Sequence, residues 1–438
     1  MTRSRLFYGA SISLAILVLM SGISRANENG AISINQVLQE VYRSNPTLMV
    51  AREELNETRE LYPQAKAGWL PTLSAEASIY STNIDSSPDG SSDGDTTKDM
   101  SINLNQPIWR GGRTFAETSR ARDLIAVGEA RLNWKEQDIF LSTITVYLDI
   151  IRDRELFHLR ERNEKLLVQE LKSAWERLDL GDITDTDVQQ AKTRLSRAKS
   201  AKNQAQNNYE LSQAEFTAIV GFDSPEKLLI PYPEFPFPET IEEMIAHAEE
   251  KNPEIVMADF QSQAANHNSD ATSRELLPQV SAFASLNKQF NPQSSSLDES
   301  SASTVGVRAT LALFQGGATR SRIRAAQTAE KRRGHEISEV RRRITQQVIS
   351  NWRSYLSAKL QTENRKSEIE SAQAALDGVR IEMAEGQRTV LDILDADQEL
   401  INAQAGLLNA LRNEKLSQYA LAKNLGLLTA EEILGASN

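Results

Sequence analysis

Cysteine is absent from the 438-residue chain, which excludes disulfides, thiol catalysis, cysteine-ligated zinc and lipidation at an N-terminal cysteine. Histidine is nearly absent. His158, His247, His267 and His335 are scattered, and the HEISE stretch at His335 lacks the second histidine of a metalloprotease helix. No glycine-rich phosphate loop and no G-x-S-x-G element occurs, so the sequence argues against an enzyme, a metal centre or a cofactor. Proline (13) and glycine (20) are scarce for this length, and the abundance of Ala, Gln, Glu, Arg and Leu favours long helices. Beyond residue 26 no run approaches the ~20 apolar residues that a membrane-crossing helix needs.

What is present starts with MTRSRLFYGASISLAILVLMSGISRA. A basic start, a short apolar core and the small-x-small site Ser24-Arg25-Ala26 read as a secretory signal over residues 1–26. Its removal takes Arg3, Arg5 and Arg25, carrying the net charge from −11 to −14. The basic run between Arg320 and Arg343 then reads as a solvated helix face, and no nucleic-acid partner is expected. Asn56-Glu57-Thr58 matches a glycosylation acceptor but carries little weight.

The chain repeats itself. LPTLSAEASIY from Leu70 recurs as LPQVSAFASLN from Leu277, and QPIWRGGRT recurs as LALFQGGAT. The offset is 207 for Asn45/Asn252 and Pro71/Pro278, and 205 for Gly112/Gly317, Gly181/Gly386, Asp187/Asp392 and Gly221/Gly426. A spacing kept over so much of the chain marks a tandem duplication.

Each half carries two strand-like runs, LSAEASIY and MSINLNQPIW in the first, VSAFASLN and VGVRATLALF in the second. Val305, Val307, Ala309, Leu311 and Leu313 share one face, and Gly306, Arg308 and Thr310 the other. A half-buried soluble hairpin shows such alternation, but the exported context and four matched runs favour a barrel wall with lipid on one side and water on the other. Long helical patterns follow each Gly-Gly pair. Ile337, Val340, Ile344, Val348, Trp352 and Tyr355 form one helical stripe, and helices of such length require coiled-coil partners. Shorter helical stretches, residues 34–66, 187–220, 241–273 and 392–425, supply them. Four strands cannot close a barrel, since the smallest known have about 8 and open edges are not tolerated in lipid. Several chains must therefore contribute staves.

These features carry a resemblance. The NP-x-L near Asn45, the paired LP starts, the paired strand-GG-helix junctions, and the turns GDITDTDVQQAK and GQRTVLDILDADQEL resemble the TolC-type outer-membrane efflux and secretion channels. The resemblance spans nearly the whole mature chain. It implies a mainly α fold with a β-barrel part. Four transmembrane strands per chain would make a 12-stranded barrel in a homotrimer, continued by a long α-helical coiled-coil tunnel across the periplasm. The expected division is a signal at 1–26, a first repeat at 27–221, a proline-rich equatorial linker at 222–240, a second repeat at 241–426 and a tail at 427–438. The strand pairs are expected at about 70–110 and 277–315, the long helices at about 113–178 and 318–383, and the short helices at about 187–220 and 390–425. Implied partners are a periplasmic adaptor, an inner-membrane transporter of ABC or RND type, and outer-membrane lipid. The implied function is the outer-membrane exit channel of a tripartite system for type I protein secretion or multidrug efflux. A periplasmic adaptor or coiled-coil scaffold is the rival reading.

The turn GQRTVLDILDADQEL packs Asp392, Asp395, Asp397 and Glu399 into eight residues. A solvated face is one reading. The resemblance implies another, in which Asp392 and Asp395 match the aspartates ringing the tunnel entrance; three copies of each would attract cations. Asp397 and Glu399 keep the solvated reading. Arg388 matches the arginine of the closing latch, Asp187 its acidic partner, and Thr186 a pore-lining residue of the other turn. Met383 stands where such latches often have tyrosine, and it cannot donate a hydrogen bond.

Overall fold

The computed structural model describes residues 31–82, 95–232, 235–292 and 298–435. The signal segment at 1–26 lies outside them, as do parts of both loops joining the strand pairs, two residues of the linker and the end of the tail.

Two helices of 67 residues dominate: α4 (Arg113–Asp179) and α8 (Ala318–Ala384). Each would run about 100 Å at 1.5 Å per residue. They are equal in length and exactly offset by the duplication: each starts after a Gly-Gly pair and ends before a glycine with φ near +80°. Each then turns into an antiparallel partner, α5 (Asp185–Val220) and α9 (Val390–Asn424).

The remaining helices are more broken than the sequence suggests. The expected stretch at 34–66 divides into α1 (Ile34–Ser44), α2 (Pro46–Arg59) and α3 (Leu61–Lys66), and that at 241–273 into α6 (Ile241–Lys251) and α7 (Pro253–Ser273). The breaks at Asn45-Pro46 and Asn252-Pro253 have one cause. Proline lacks the N–H that would continue the helix but suits the first position of a new one. Asn45 Oδ1 accepts from Thr47 N at 2.9 Å and Leu48 N at 3.3 Å, while Asn252 Oδ1 accepts from Glu254 N at 2.9 Å. Helix α7 packs on both α4 and α8, whereas α2 and α3 pack on α4.

At one end of the hairpins lies an antiparallel sheet of four strands, β2 (Thr72–Thr82), β3 (Asp95–Trp109), β5 (Gln279–Phe290) and β6 (Glu299–Thr310), in the order β2-β3-β5-β6. Register puts Ala75, Ile102, Leu286 and Ser303 in one row and Ala77, Met100, Lys288 and Ser301 in another. Apolar residues including Leu73, Ile79, Leu104, Val305 and Val307 populate that same face and are exposed. Leu311 and Leu313, placed with β6 by their alternation, lie beyond its end. The neighbouring β5 starts at Gln279 opposite Thr310, so among the described residues no strand pairs further along.

The principal core sits at mid-length. Phe140, Ile144 and Tyr147 of α4 pack with Val37, Leu38 and Val41 of α1, Phe216 of α5 and Tyr419 of α9. Two-residue strands β1 (Ala31–Ile32) and β4 (Lys227–Leu228) pair in parallel there. The Tyr147 hydroxyl lies 2.9 Å from Ile32 O and 2.7 Å from Leu229 O, so the linker is tied to the waist. Phe235 of the linker meets Tyr419 edge-on, with ring centroids 5.5 Å apart. All of the stripe on α8 but Ile337 joins a second cluster, where buried Ile344 and Val348, flanked by Val340, Trp352 and Tyr355, pack with Met244, Ile255, Leu421 and Leu425. Helix α10 (Ala430–Gly435) closes the described chain.

The basic run on α8 is largely the solvated face expected of it, with every base from Arg320 to Arg343 exposed except the half-buried Arg333, and three of its arginines also reach across to neighbouring acids. Arg343 reaches Glu254 at 2.7 Å, Arg341 reaches Asp259 at 3.5 Å, and Arg322 reaches Glu275 at 2.7 Å. These three pairs tie α8 to α7 and the turn that follows it.

Candidate functional site: the hairpin turns

Both long helices end in the same device. Gly181 N donates to Leu178 O and Asp182 N to Arg177 O, each at 2.9 Å; Gly386 N donates to Met383 O and Gln387 N to Glu382 O, again at 2.9 Å. This pair of bonds closes a helix through a left-handed residue. Gly181 has φ +82° and Gly386 φ +79°, so a side chain at either position would be strained.

The restarting helices are capped by the acids singled out above. Asp187 Oδ2 accepts from Thr184 N at 2.9 Å and from Thr184 Oγ1 at 2.8 Å. Asp392 Oδ2 accepts from Thr389 N and Oγ1, both at 2.8 Å, and Thr389 Oγ1 accepts from Asp392 N at 3.4 Å. The Thr389 bonds are a reciprocal capping box. The hydrogen bonds from Thr184 and Thr389 hold both carboxyls below the usual carboxylate range, so both are ionised at neutral pH. Each aspartate thus has a local structural task that the spacing T-x-x-D could have announced.

The structure does not bring Arg388 to Asp187 within one chain. Arg388 Nε instead donates to Glu382 Oε2 at 2.8 Å, and its Nη1 lies 4.0 Å from Asp392 Oδ1. It spans its own turn, between the end of α8 and the start of α9. Thr186 is exposed and Met383 half-buried.

Asp395 meets a residue that sequence reasoning missed. Arg194 Nη2 on α5 lies 2.5 Å from Asp395 Oδ1 on α9. The duplication did not announce it, since at the 205 offset position 194 aligns with Glu399 and Asp395 aligns with Gln190.

Asp397 departs from its expected solvated face. It is 8% exposed, and on α9 it shares the inward face with Leu394 and Ile401. Burial pushes its carboxyl up, Arg380 pulls it down and Glu170 of α4 pushes it further up. Glu399 is exposed. Further toward the waist, α9 is tied to α4 by Arg412, whose Nε and Nη2 each donate to Asp149 at 2.9 Å, and by Lys423, which donates to Asp138 at 2.7 Å. Among the described residues no group of three or more His, Asp or Glu is arranged to hold a metal, and no helix is long and apolar enough to cross a membrane.

The sequence profile described as "Outer membrane efflux protein" matches residues 37–222 and 244–427, the two repeats in turn. The outer membrane efflux protein BepC of Brucella suis biovar 1 (strain 1330) is 27% identical over 98% of this chain and 93% of its own length. The outer membrane protein TolC of Escherichia coli (strain K12) is 23% identical over 98% of this chain and 88% of its own. Among solved structures, the Campylobacter jejuni CmeC outer membrane channel superposes with a TM-score of 0.78 at 15% identity, covering 90% of this chain and 86% of that one; this is a likeness of fold.

Proposed function

This chain belongs to the outer membrane efflux protein family, and from that membership we propose that it is the outer-membrane exit channel of a tripartite export assembly. The observation that carries the reading is the sheet: four strands with an exposed apolar face, a polar opposite face and two unpaired edges, mounted at one end of ~100 Å helical hairpins. Lipid tolerates neither a free edge nor an unsatisfied backbone group. Three copies bring 12 strands, a barrel size that membranes accommodate. The same threefold symmetry gathers α4, α5, α8 and α9 into a tunnel with the turns farthest from the membrane.

Cargo passes through such a duct without chemical change; the family is one of efflux proteins rather than enzymes. The turns are the natural place for a periplasmic adaptor, and through it an inner-membrane transporter, to engage. They also serve as the gate. Three copies of Asp392 and Asp395 converge on one axis and favour cations. Arg388, exposed beside its own turn, is the group that would reach from one hairpin to the next, where Asp187 and Thr186 offer oxygen acceptors for the latch. A coiled-coil adaptor has no use for a sheet with one apolar and one polar face.

The test is reconstitution in planar bilayers with membrane fractionation. Discrete cation-selective conductance and a heat-modifiable oligomer in the membrane fraction are expected. A freely soluble monomer without conductance would overturn the channel in favour of the scaffold.

A further inference from the structure

We propose that Arg308 of β6 and Glu76 of β2 in a second copy of the chain form an ion pair that sets the register of the inter-chain β seam. This rests on the channel reading, because it requires the sheet edges to pair between copies. Strands β2 and β6 are those edges. The polar face carries Thr72, Ser74, Glu76 and Ser78 on β2, and Thr304, Gly306, Arg308 and Thr310 on β6. Among the described strand residues of that face Arg308 is the one base, and Lys98 and Lys288 point to the other side. Arg308 and Glu76 are both exposed, and neither has an ion partner among the described residues of its own chain. The Arg308 guanidinium lies over the Phe283 ring, 4.7 Å from its centroid. Gly306 makes room for that ring, since a Cβ there would come within 2.9 Å of it. In the single chain this stack turns the cation toward β5, and pairing across the seam requires the side chain to swing from the ring to the open edge of β6.

Three constraints limit the seam. The displacement must be even, because an odd slip would turn the apolar face of one copy into the lumen. Its direction follows from the stagger of the sheet. The row through Thr72 runs across Asn105 and Phe283 to Gly306, and β6 continues past that row to Thr310. The incoming β2 must therefore slide so that Gly306 meets a residue later than Thr72. Strand tilt sets the size. With a rise of about 3.3 Å and a spacing of about 4.8 Å, displacements of 2, 4 and 6 residues per copy correspond to tilts of about 19°, 35° and 46°, and barrels tilt at about 35–45°.

A displacement of four puts Arg308 opposite Ser74 and diagonal to Glu76. A displacement of six puts it directly opposite Glu76. Either way the long arginine side chain reaches the carboxylate.

The cysteine-free full-length chain suits the experiment. If the wild type gives no trimer on unheated gels in detergent, the channel reading itself fails. With a trimeric wild type, Glu76→Arg and Arg308→Glu alone are expected to lower the trimer's dissociation temperature by several degrees, and the double reversal to restore it. Single reversals that behave as wild type, or a double no better than the worse single, overturn the pair. Independently, Arg308→Cys combined with Ser74→Cys or with Glu76→Cys is oxidised; one combination is expected to cross-link between chains. Failure of both in a chain that still trimerises overturns the register.

Discussion

Arg194 and Asp395, separated by 201 residues, meet at 2.5 Å and join the two hairpins of the chain close to their turns. Asp395 keeps 64% of its side chain exposed and Arg194 21%, so water screens the pair and its worth is about 0.2–1 kcal/mol. It is too weak to hold a gate alone. Its larger effect is on charge, because a guanidinium sits beside an aspartate proposed for the cation ring.

Replacing Arg194 with glutamine should leave stability within about 1 kcal/mol and unmask Asp395. Block of single channels by a trivalent cation is then expected at severalfold lower concentration. Equal block in both proteins would remove Asp395 from the ring or Arg194 from its control.

Arg388→Ser should raise single-channel conductance in planar bilayers, since the arginine is proposed to reach the neighbouring hairpin. Glu382→Gln, which removes the partner at 2.8 Å in the same chain, should raise it less or not at all. Unchanged conductance for Arg388→Ser would sink the latch.

Two classes of aspartate respond oppositely to acid. Asp187 and Asp392 have carboxyls depressed by the threonine hydrogen bonds. The stabilisation they give the turns is complete above the ordinary value of about 3.9 and is lost as pH falls through the depressed one. Asp397 is raised by burial, so its charge opposes the packing of α9 on α4 until pH falls through that raised value. Asp397→Asn should therefore raise the thermal midpoint at neutral pH, with the difference vanishing below about pH 4. A lowered midpoint at neutral pH would show that the carboxylate is favourably held.

Asn45 and Asn252 do the same work in the two repeats: each caps a helix and donates Nδ2 at 2.8 Å, to Ile219 O and Asn424 O respectively. Alanine at either position should cost about 1–3 kcal/mol, from the lost cap and the orphaned carbonyl. Aspartate keeps the cap but turns an acceptor toward the carbonyl. Full rescue by aspartate in thermal melts would show that the cap alone matters.

Much of the fold was legible because its signals are local or repeated. Gly181 and Gly386 end the long helices where a left-handed residue is needed, and strand alternation sorted Val305 from Gly306 correctly. The breaks at Asn45 and Asn252 were legible as well, since Asn-Pro is a cap followed by a first helical residue, yet they were read as continuous helix. The turns were harder. Asp187 and Asp392 were assigned to a pore and a latch before their capping role, though T-x-x-D states the cap within four residues. Asp397 read as solvated because nothing in DADQEL reveals which side of α9 faces α4.

The sequence alone determined the duplication, the long helices and the two-faced strands, since each follows from periodicity or from a repeated offset along one chain. Which charges meet was decided by tertiary structure. The Arg194–Asp395 bridge, the Arg412–Asp149 fork and the burial of Asp397 depend on the rotation and axial register of α9 against α4 and α5. That register is set by Leu167, Leu195 and Leu394 packing together between the hairpins. A shift of one residue turns a helical side chain by about 100°, so contacts two hundred residues apart follow from the packing and leave no mark in the local pattern.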